Sequence, residues 1–117
     1  MRIGDLRHRV TILHQTDGVD EWGAPAPGQW VPLATVWACV EGLRGNEYWQ
    51  AQQLVDQADH RITIRYRRDV TAQMRVQHDG RLFEIRAALD RDGRRRWLEL
   101  ICREVLPWQN EARSQSP

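Results

Sequence analysis

Hydrophobic and polar residues alternate over much of the chain, which is typical of β-strands that bury one face. In the sequence ADHRITIRYRRDV, residues 58–70, Ile62, Ile64 and Tyr66 share one face. The opposite face is polar and rich in arginine: Arg61, Thr63, Arg65 and Arg67. We therefore predict a half-buried strand here, with its aromatic residue in the core and its arginines exposed.

Further strands follow from the same pattern in LRHRVTILHQ near the N-terminus and WLELICREVL near the C-terminus. The sequence MRVQHDGRLFEIRAAL predicts a hairpin, because two alternating runs are joined by an Asp-Gly pair at Asp79 and Gly80. A second Asp-Gly pair lies in DRDGRRR, which predicts a turn with an arginine tract at its tip. The segment WVPLATVWACVEGL is apolar on both faces, so we expect a covered strand with Trp37 in the core.

Two segments interrupt the β pattern. Residues 16–30, TDGVDEWGAPAPGQW, are rich in glycine and proline and predict a long irregular loop. Residues 45–57 contain good helix formers, and Tyr48, Ala51 and Val55 repeat at helical spacing, which predicts a short helix.

These elements predict a mainly β fold of one domain, residues 1–106, followed by a flexible C-terminal tail, residues 107–117. Short strands with frequent turns are typical of a small antiparallel β-barrel or sandwich, here with one long loop and a short helical excursion. A chain of 117 residues is long enough to bury a core of this kind.

Composition narrows the possible functions. All 17 basic residues are arginine, and 16 acidic residues leave a formal net charge of +1. A dedicated nucleic-acid binder normally carries a clear basic excess, so the balance argues against that class. Arginine and the six tryptophans are residues enriched at protein interfaces.

No pattern for catalysis or metal binding emerges. The four histidines lack partners at metal-ligand spacing, and the two serines, Ser114 and Ser116, fall in the tail. Cys39 and Cys102 lie inside predicted strands and are expected to be buried free thiols. We predict a protein that is not an enzyme and has no cofactor, metal or small-molecule substrate. Without a signal peptide or long apolar run, we expect synthesis in the cytoplasm and no membrane contact.

A small nucleic-acid-binding barrel of the OB type is the main alternative. Such barrels place aromatic side chains beside basic ones on an exposed face. Here Tyr66 and Phe83 alternate with the arginines and are expected to be buried, which disfavours a stacking platform.

Several phrases of the sequence occur in a fixed order: MRIGDLRHRVTIL, DEWGAPAPGQW, VWACVEGLRGNEYWQAQQL, ADHRITIRYR and GRLFEI. Over residues 1–105 the chain thereby resembles the head closure, or head–tail joining, proteins of long-tailed phages and prophages. The resemblance implies a β-barrel that joins a ring of about twelve copies in the virion neck. Its implied partners are the portal and adaptor, the tail or a tail-joining protein, and packaged double-stranded DNA. A minor tail or tail-completion protein is the alternative within the phage setting.

The resemblance suggests roles for three groups of residues. We expect Arg61, Arg65 and Arg67 at an interface with neighbouring subunits or the adaptor. A channel or gating role is assigned to the excursion between the central strands, with these residues: Gly42, Arg44, Gly45, Tyr48 and Trp49. Contacts with adaptor or tail are assigned to the loop from Asp17 to Gln29 and its surroundings, with these residues: Trp22, Gly23 and Trp30.

Overall fold

The computed structural model describes residues 3–106, so the predicted tail, residues 107–117, lies outside the described residues. A short 3-10 helix, Ile3–Asp5, precedes six strands and one α-helix. The elements in chain order are β1 His8–Val19, β2 Pro25–Gly42, α1 Gly45–Leu54, β3 His60–Arg65, β4 Arg75–His78, β5 Arg81–Leu89 and β6 Trp97–Val105.

The six strands form a closed antiparallel barrel in the order β1-β2-β3-β6-β5-β4, and β4 pairs with β1 to complete the circle. This confirms the predicted small β-barrel and excludes the sandwich. Closure leaves no open sheet edge around the barrel itself.

The barrel interior holds the alternating apolar residues that the sequence pattern indicated. Its largest fully buried side chains include Ile12, Ile62, Ile64, Phe83 and Ile85. Tyr66 is half-buried and packs against this cluster. Phe83 is buried as predicted, whereas Tyr66 is only half-buried. The guanidinium of Arg81 lies 5.1 Å from the ring centroid of Phe83, so the predicted separation of aromatics from arginines is only partly confirmed.

The Asp-Gly pair between β4 and β5 forms the predicted tight turn. Asp79 and Gly80 have φ values of 51° and 76°, which are the successive positive angles that a type I′ hairpin turn requires. The second Asp-Gly pair connects β5 to β6, and Gly93 there has φ 68°.

The prediction of a long irregular loop over residues 16–30 is wrong. β1 continues to Val19 and β2 begins at Pro25, and the two strands stay paired up to Val19 opposite Pro25. The prediction relied on glycine and proline, which commonly end strands. Here both strands are edge strands, and the missing N–H of a proline on an edge strand costs no ladder hydrogen bond. We call this two-stranded extension, residues 14–31, the arm.

The arm leaves the barrel at one end, and α1 is inserted at the other. β4 pairs with β1 only at residues 11–13, and β3 pairs with β2 only from Ala38 onward, so the arm is paired only with itself. The structure measures 49 × 27 × 26 Å along its principal axes. Six residues of β1 beyond Leu13, at about 3.3 Å each, account for roughly 20 Å of projection.

The helix predicted within residues 45–57 is confirmed as α1, and it packs on the outside of the barrel. Its one buried residue, Ala51, meets Ala58 and Ile101 in a second, small hydrophobic cluster. The side chain of Gln52 donates to the carbonyl of Ala58 and accepts from the backbone N–H of Gln57 at 3.1 Å. These contacts fix the connection between α1 and β3.

Two expectations about individual side chains need correction. Trp37 is 53% exposed and not in the core, because inward-facing Ala38 fills the barrel and Trp37 points outward beneath the guanidinium of Arg9. Cys39 and Cys102 are both free thiols as predicted, but only Cys102 is buried and Cys39 is half-buried. Burial raises the pKa of both thiols, to about 11 for Cys39.

Candidate functional site

The two strands of the arm approach closely at a β-bulge at Thr16. The Thr16 hydroxyl accepts from the backbone N–H of Gln29 at 3.1 Å, and the amide of Gln15 donates to the carbonyl of Gly28 at 3.0 Å. A Cβ at Gly28 would lie 1.8 Å from the carbonyl oxygen of Thr16. Only glycine therefore permits this approach of the two strands, and the arm is an ordered element.

The tip of the arm presents a tryptophan to solvent. Asp20 accepts from the backbone N–H groups of Trp22 and Ala24, both at 2.9 Å, and Gly23 takes the left-handed φ of 79°. This turn holds Trp22 with 86% of its surface exposed. An apolar side chain of that size, fixed on a hydrogen-bonded turn away from the core, is suited to contact another molecule.

Trp30 lies at the base of the arm and differs from Trp22 in its surroundings. It is half-buried, and the guanidinium of Arg75 lies 4.2 Å from its ring centroid. Arg75 in turn approaches Glu84 at 3.9 Å. Of the three predicted contact residues, Trp22 and Gly23 form the free tip, whereas Trp30 anchors the arm to its own barrel.

The predicted row of exposed arginines on β3 is only partly confirmed. Arg61 is half-buried and donates to Glu41 at 2.9 Å, with Glu47 of α1 at 3.5 Å. Thr63, on the same face, is only 2% exposed. Burial alone would raise the pKa of Glu41, but hydrogen bonds from Cys39 and Arg61 lower that pKa below its ordinary value. Arg61 therefore has its charge matched within the chain.

Arg65 and Arg67 are more accessible but have different neighbours. The guanidinium of Arg65 lies 5.8 Å from the ring centroid of Trp97. Arg67 makes two hydrogen bonds to Asp69, at 3.0 and 2.9 Å, which raise the pKa of Arg67 and lower that of Asp69. The structure thus places Arg61 and Arg65 on one surface and turns Arg67 toward its own loop.

A groove of about 320 Å³ lies on the outer face of β3 and β6. Its lining residues are Arg61, Thr63, Arg91, Asp92, Trp97 and Glu99. Arg91 pairs with Glu99 at 3.0 Å, and Arg96 pairs with Asp92 at 3.1 Å. We use the name groove for this surface throughout.

The turn beside the groove carries two arginines whose side chains form no ion pair in the part of the chain that the structure describes. These are Arg94 and Arg95, and both are exposed. Their backbone N–H groups donate to Asp92 and Asp90, which fixes the turn. The groove is consequently bordered by positive charge.

The arginine tract and β3 were each predictable from the sequence, but the groove was not. Its lining comes from β3, β6 and the β5–β6 turn, and those elements are brought together only by the pairing of β3 with β6. One feature of the sequence could have indicated the groove: a tryptophan directly follows the arginine tract, in RRRW at residues 94–97.

The candidate gating residues surround the start of α1. Gly42 ends β2, Arg44 is the helix N-cap with extended backbone, and Gly45 opens the helix with φ 54°. Tyr48 is half-buried and stacks edge-on against Trp49, which is 67% exposed. These residues lie at the end of the barrel opposite the arm.

Several charged side chains on the rest of the barrel form ion pairs with one another. Arg81 donates twice to Glu104 at 2.9 Å, and these bonds lower the pKa of Glu104 and raise that of Arg81. His60 bonds Asp59 at 2.7 Å beside them. Among residues 3–106, no three histidine, cysteine or acidic side chains are grouped as metal ligands. That range also contains no helix long and apolar enough to cross a membrane.

Comparison with known proteins identifies the family. No curated protein matches the chain. The solution structure of protein SF1141 from Shigella flexneri 2a is 31% identical over 92% of this chain and 99% of that one, with a TM-score of 0.71. A chain from the virion of a native gene transfer agent (GTA) particle shares the fold at 21% identity, covering 86% of this chain and 96% of that one, with a TM-score of 0.59. The sequence model of the phage head completion protein family matches residues 1–105, and the chain belongs to that family.

Proposed function

We propose that the protein is a structural component of the phage neck. It docks as a ring beneath the portal and adaptor, closes the DNA-filled head and offers an attachment surface to the tail. Family membership supports this role, and the structurally similar GTA chain is part of a virion. The observation that carries the proposal is the arm, an ordered element that presents Trp22 to solvent instead of packing on its own barrel.

A ring of about twelve copies requires two different, complementary surfaces on each subunit. The near-neutral charge of +1 suits contacts between acidic and basic patches of identical chains better than binding along DNA. Assembly takes place in the host cytoplasm and the final location is the virion neck. The role involves no catalysis and no cofactor.

The arginines of β3 contribute to the subunit or adaptor interface in this proposal. Arg65 is exposed above Trp97, whereas Arg61 supports the same surface through Glu41. The double substitution Arg65→Glu and Arg67→Glu should prevent docking to heads while the barrel stays folded, because neither side chain enters the core. Normal docking of that variant would remove these arginines from the interface.

The segment from Gly42 to Gln57 is proposed to face the DNA channel and to rearrange on assembly. Exposed Trp49 and half-buried Tyr48 supply bulk, and α1 is held to the barrel by the small cluster around Ala51. Deletion of residues 46–54 should give heads that bind the protein but leak DNA. Heads that remain sealed would assign closure to another part of the molecule.

Co-sedimentation with DNA-filled, tailless heads that lack the protein tests the function. We expect saturable binding at roughly a dozen copies per head, together with retention of the DNA. Absence of binding to heads, with salt-dependent binding to free DNA, would favour the nucleic-acid-binding barrel instead. Binding to tails but not to heads would favour a tail-completion protein.

A further inference from the structure

The arm and the groove lie at the same end of the barrel. All neighbouring strands are antiparallel, so the end where β1 leaves for the arm is also where β3 ends and β6 begins. Arg65 and Trp97 are the paired residues at that end of β3 and β6. The β5–β6 turn with its arginines is there as well.

They occupy different parts of the barrel wall. In the closed order β1-β2-β3-β6-β5-β4, the arm extends β1 and β2, whereas the groove lies on β3 and β6. One copy therefore carries a projecting element and a recess at two different positions around its barrel. This is the arrangement that a head-to-tail contact between identical subunits requires.

The two surfaces are complementary in charge. The arm contains three acids, Asp17, Asp20 and Glu21, and no arginine. The β5–β6 turn, residues 90–96, contains four arginines against two aspartates, and Arg94 and Arg95 make no ion pair within the described part of the chain. Complementary charge of this kind favours correct docking and disfavours wrong partners.

The two surfaces also match in aromatic character. Trp22 is 86% exposed at the tip of the arm. The groove, about 320 Å³, offers the ring of Trp97 and the guanidinium of Arg91 in its wall. A tryptophan between an aromatic ring and a guanidinium gains both stacking and cation–π contacts.

We propose that the arm of each copy docks into the groove of the next copy around the ring, with Trp22 against Trp97 and Arg91. The acids at the arm tip then face Arg94 and Arg95. The occupant of the groove is thus a second copy of this chain, and the contact joins subunits through an element that is already ordered before assembly. This inference rests on the proposed ring function and names the surfaces that form the ring.

Disulfide trapping tests the contact directly. A chain with Glu21→Cys and Arg94→Cys, in which Cys39 and Cys102 are replaced by serine and alanine, is bound to heads and oxidised. We expect a ladder of covalent multimers on a non-reducing gel. Either cysteine substitution alone should give none. The matched control pairs Glu21→Cys with Gln50→Cys, which is exposed on α1 at the other end of the barrel, and it should also give none.

Removal of the Trp22 side chain measures how much the contact contributes to the affinity for heads. Trp22→Ala should lower the affinity for heads at least roughly tenfold, because a tryptophan at the centre of an interface commonly contributes more than that. Trp37→Ala is the matched control, since Trp37 is also an exposed tryptophan on β2 but lies outside the arm. It should bind with unchanged affinity, and equal losses in both variants would contradict a specific role for Trp22.

The outcomes separate this inference from the proposed function. Normal copy numbers on heads without the disulfide ladder would contradict the arm-to-groove contact and leave the closure role standing. If the wild-type chain does not bind heads, the closure role fails. In that case the double-cysteine chain is oxidised at high concentration without heads. Covalent multimers would support docking between copies, and their absence would overturn the arm-to-groove contact.

Discussion

The arm and α1 both depart from the barrel, but they are held by different means. The arm is stabilised mainly by its own ladder, the Thr16 bulge and the Asp20 turn, with Trp30 anchoring its base on the barrel, and it contributes nothing to the core. α1 depends on the barrel, through Ala51 in a small hydrophobic cluster and Gln52 on the next connection. The arm, whose hydrogen bonds are mostly internal, is suited to docking, whereas α1, which is held by contacts with the barrel, is suited to rearrangement.

The largest effect on stability is expected from a charge beneath α1. Ala51→Asp would bury a carboxylate against Ala58 and Ile101, and we expect a loss of about 2–3 kcal/mol in the free energy of unfolding. Urea denaturation measures it. Gln50→Asp, at an exposed neighbouring position, is the control and should stay within about 0.5 kcal/mol. Equal stability of both variants would show that α1 does not depend on this cluster.

A smaller loss is expected when the polar anchor of α1 is removed. Gln52→Ala deletes the hydrogen bonds to Ala58 and Gln57, and we expect a loss of roughly 1–2 kcal/mol. Gln53→Ala is exposed and serves as the control. Faster amide exchange confined to the α1–β3 connection would locate the effect. An unchanged exchange pattern would contradict the anchoring role of Gln52.

In the arm, a severe steric clash should cost little global stability. Gly28→Ala places a Cβ against the Thr16 carbonyl, but the strain is relieved when the arm opens. The free energy of global unfolding should therefore change by less than about 1 kcal/mol. Amide exchange should accelerate from residues 16 to 29 only. Gly4→Ala, where no atom lies within 4 Å of the new Cβ, is the control. A large loss of global stability would show that the arm belongs to the core.

The smallest effect is a pH dependence at the α1 end of the barrel. Arg81 lowers the pKa of Glu104 below its ordinary 4.5, so this ion pair stabilises the fold above that pH and is lost as the pH falls. The free energy of unfolding should fall less steeply between about pH 5 and pH 3 in Arg81→Met than in the wild type. The difference between the two declines should be less than about 1 kcal/mol. Arg68→Met, at an exposed arginine without an ion pair among residues 3–106, should leave the decline unchanged. An equal slope in both variants would contradict the assignment.

The barrel and α1 could be predicted from the sequence because their signals are local. Alternation placed Ile62, Ile64 and Phe83 in the core, and helical spacing predicted the short helix that the structure has as α1. Both patterns depend only on residues that are close in the chain. The closed strand order, in contrast, depends on pairing between distant segments.

The arm and the groove could not be predicted, for two physical reasons. Prolines and glycines normally terminate strands, but the prolines here lie on edge strands and Gly28 permits the close approach to Thr16, so the hairpin continues. The groove combines Arg61 with Arg91 and Trp97 through the β3–β6 pairing, which no local pattern specifies. Trp37 was misplaced because alternation defines two faces but does not say which one a closed barrel fills.

Hydrogen exchange of free and head-bound protein tests the central claim that the arm is the docking element of a neck protein. Docking should protect the amides of the arm tip, residues 20–24, and of the β5–β6 turn, residues 90–96, relative to the free chain. The core strands β3 and β6 should change little, since they are already protected. Bound protein whose arm tip and turn exchange as fast as in the free chain would contradict the account.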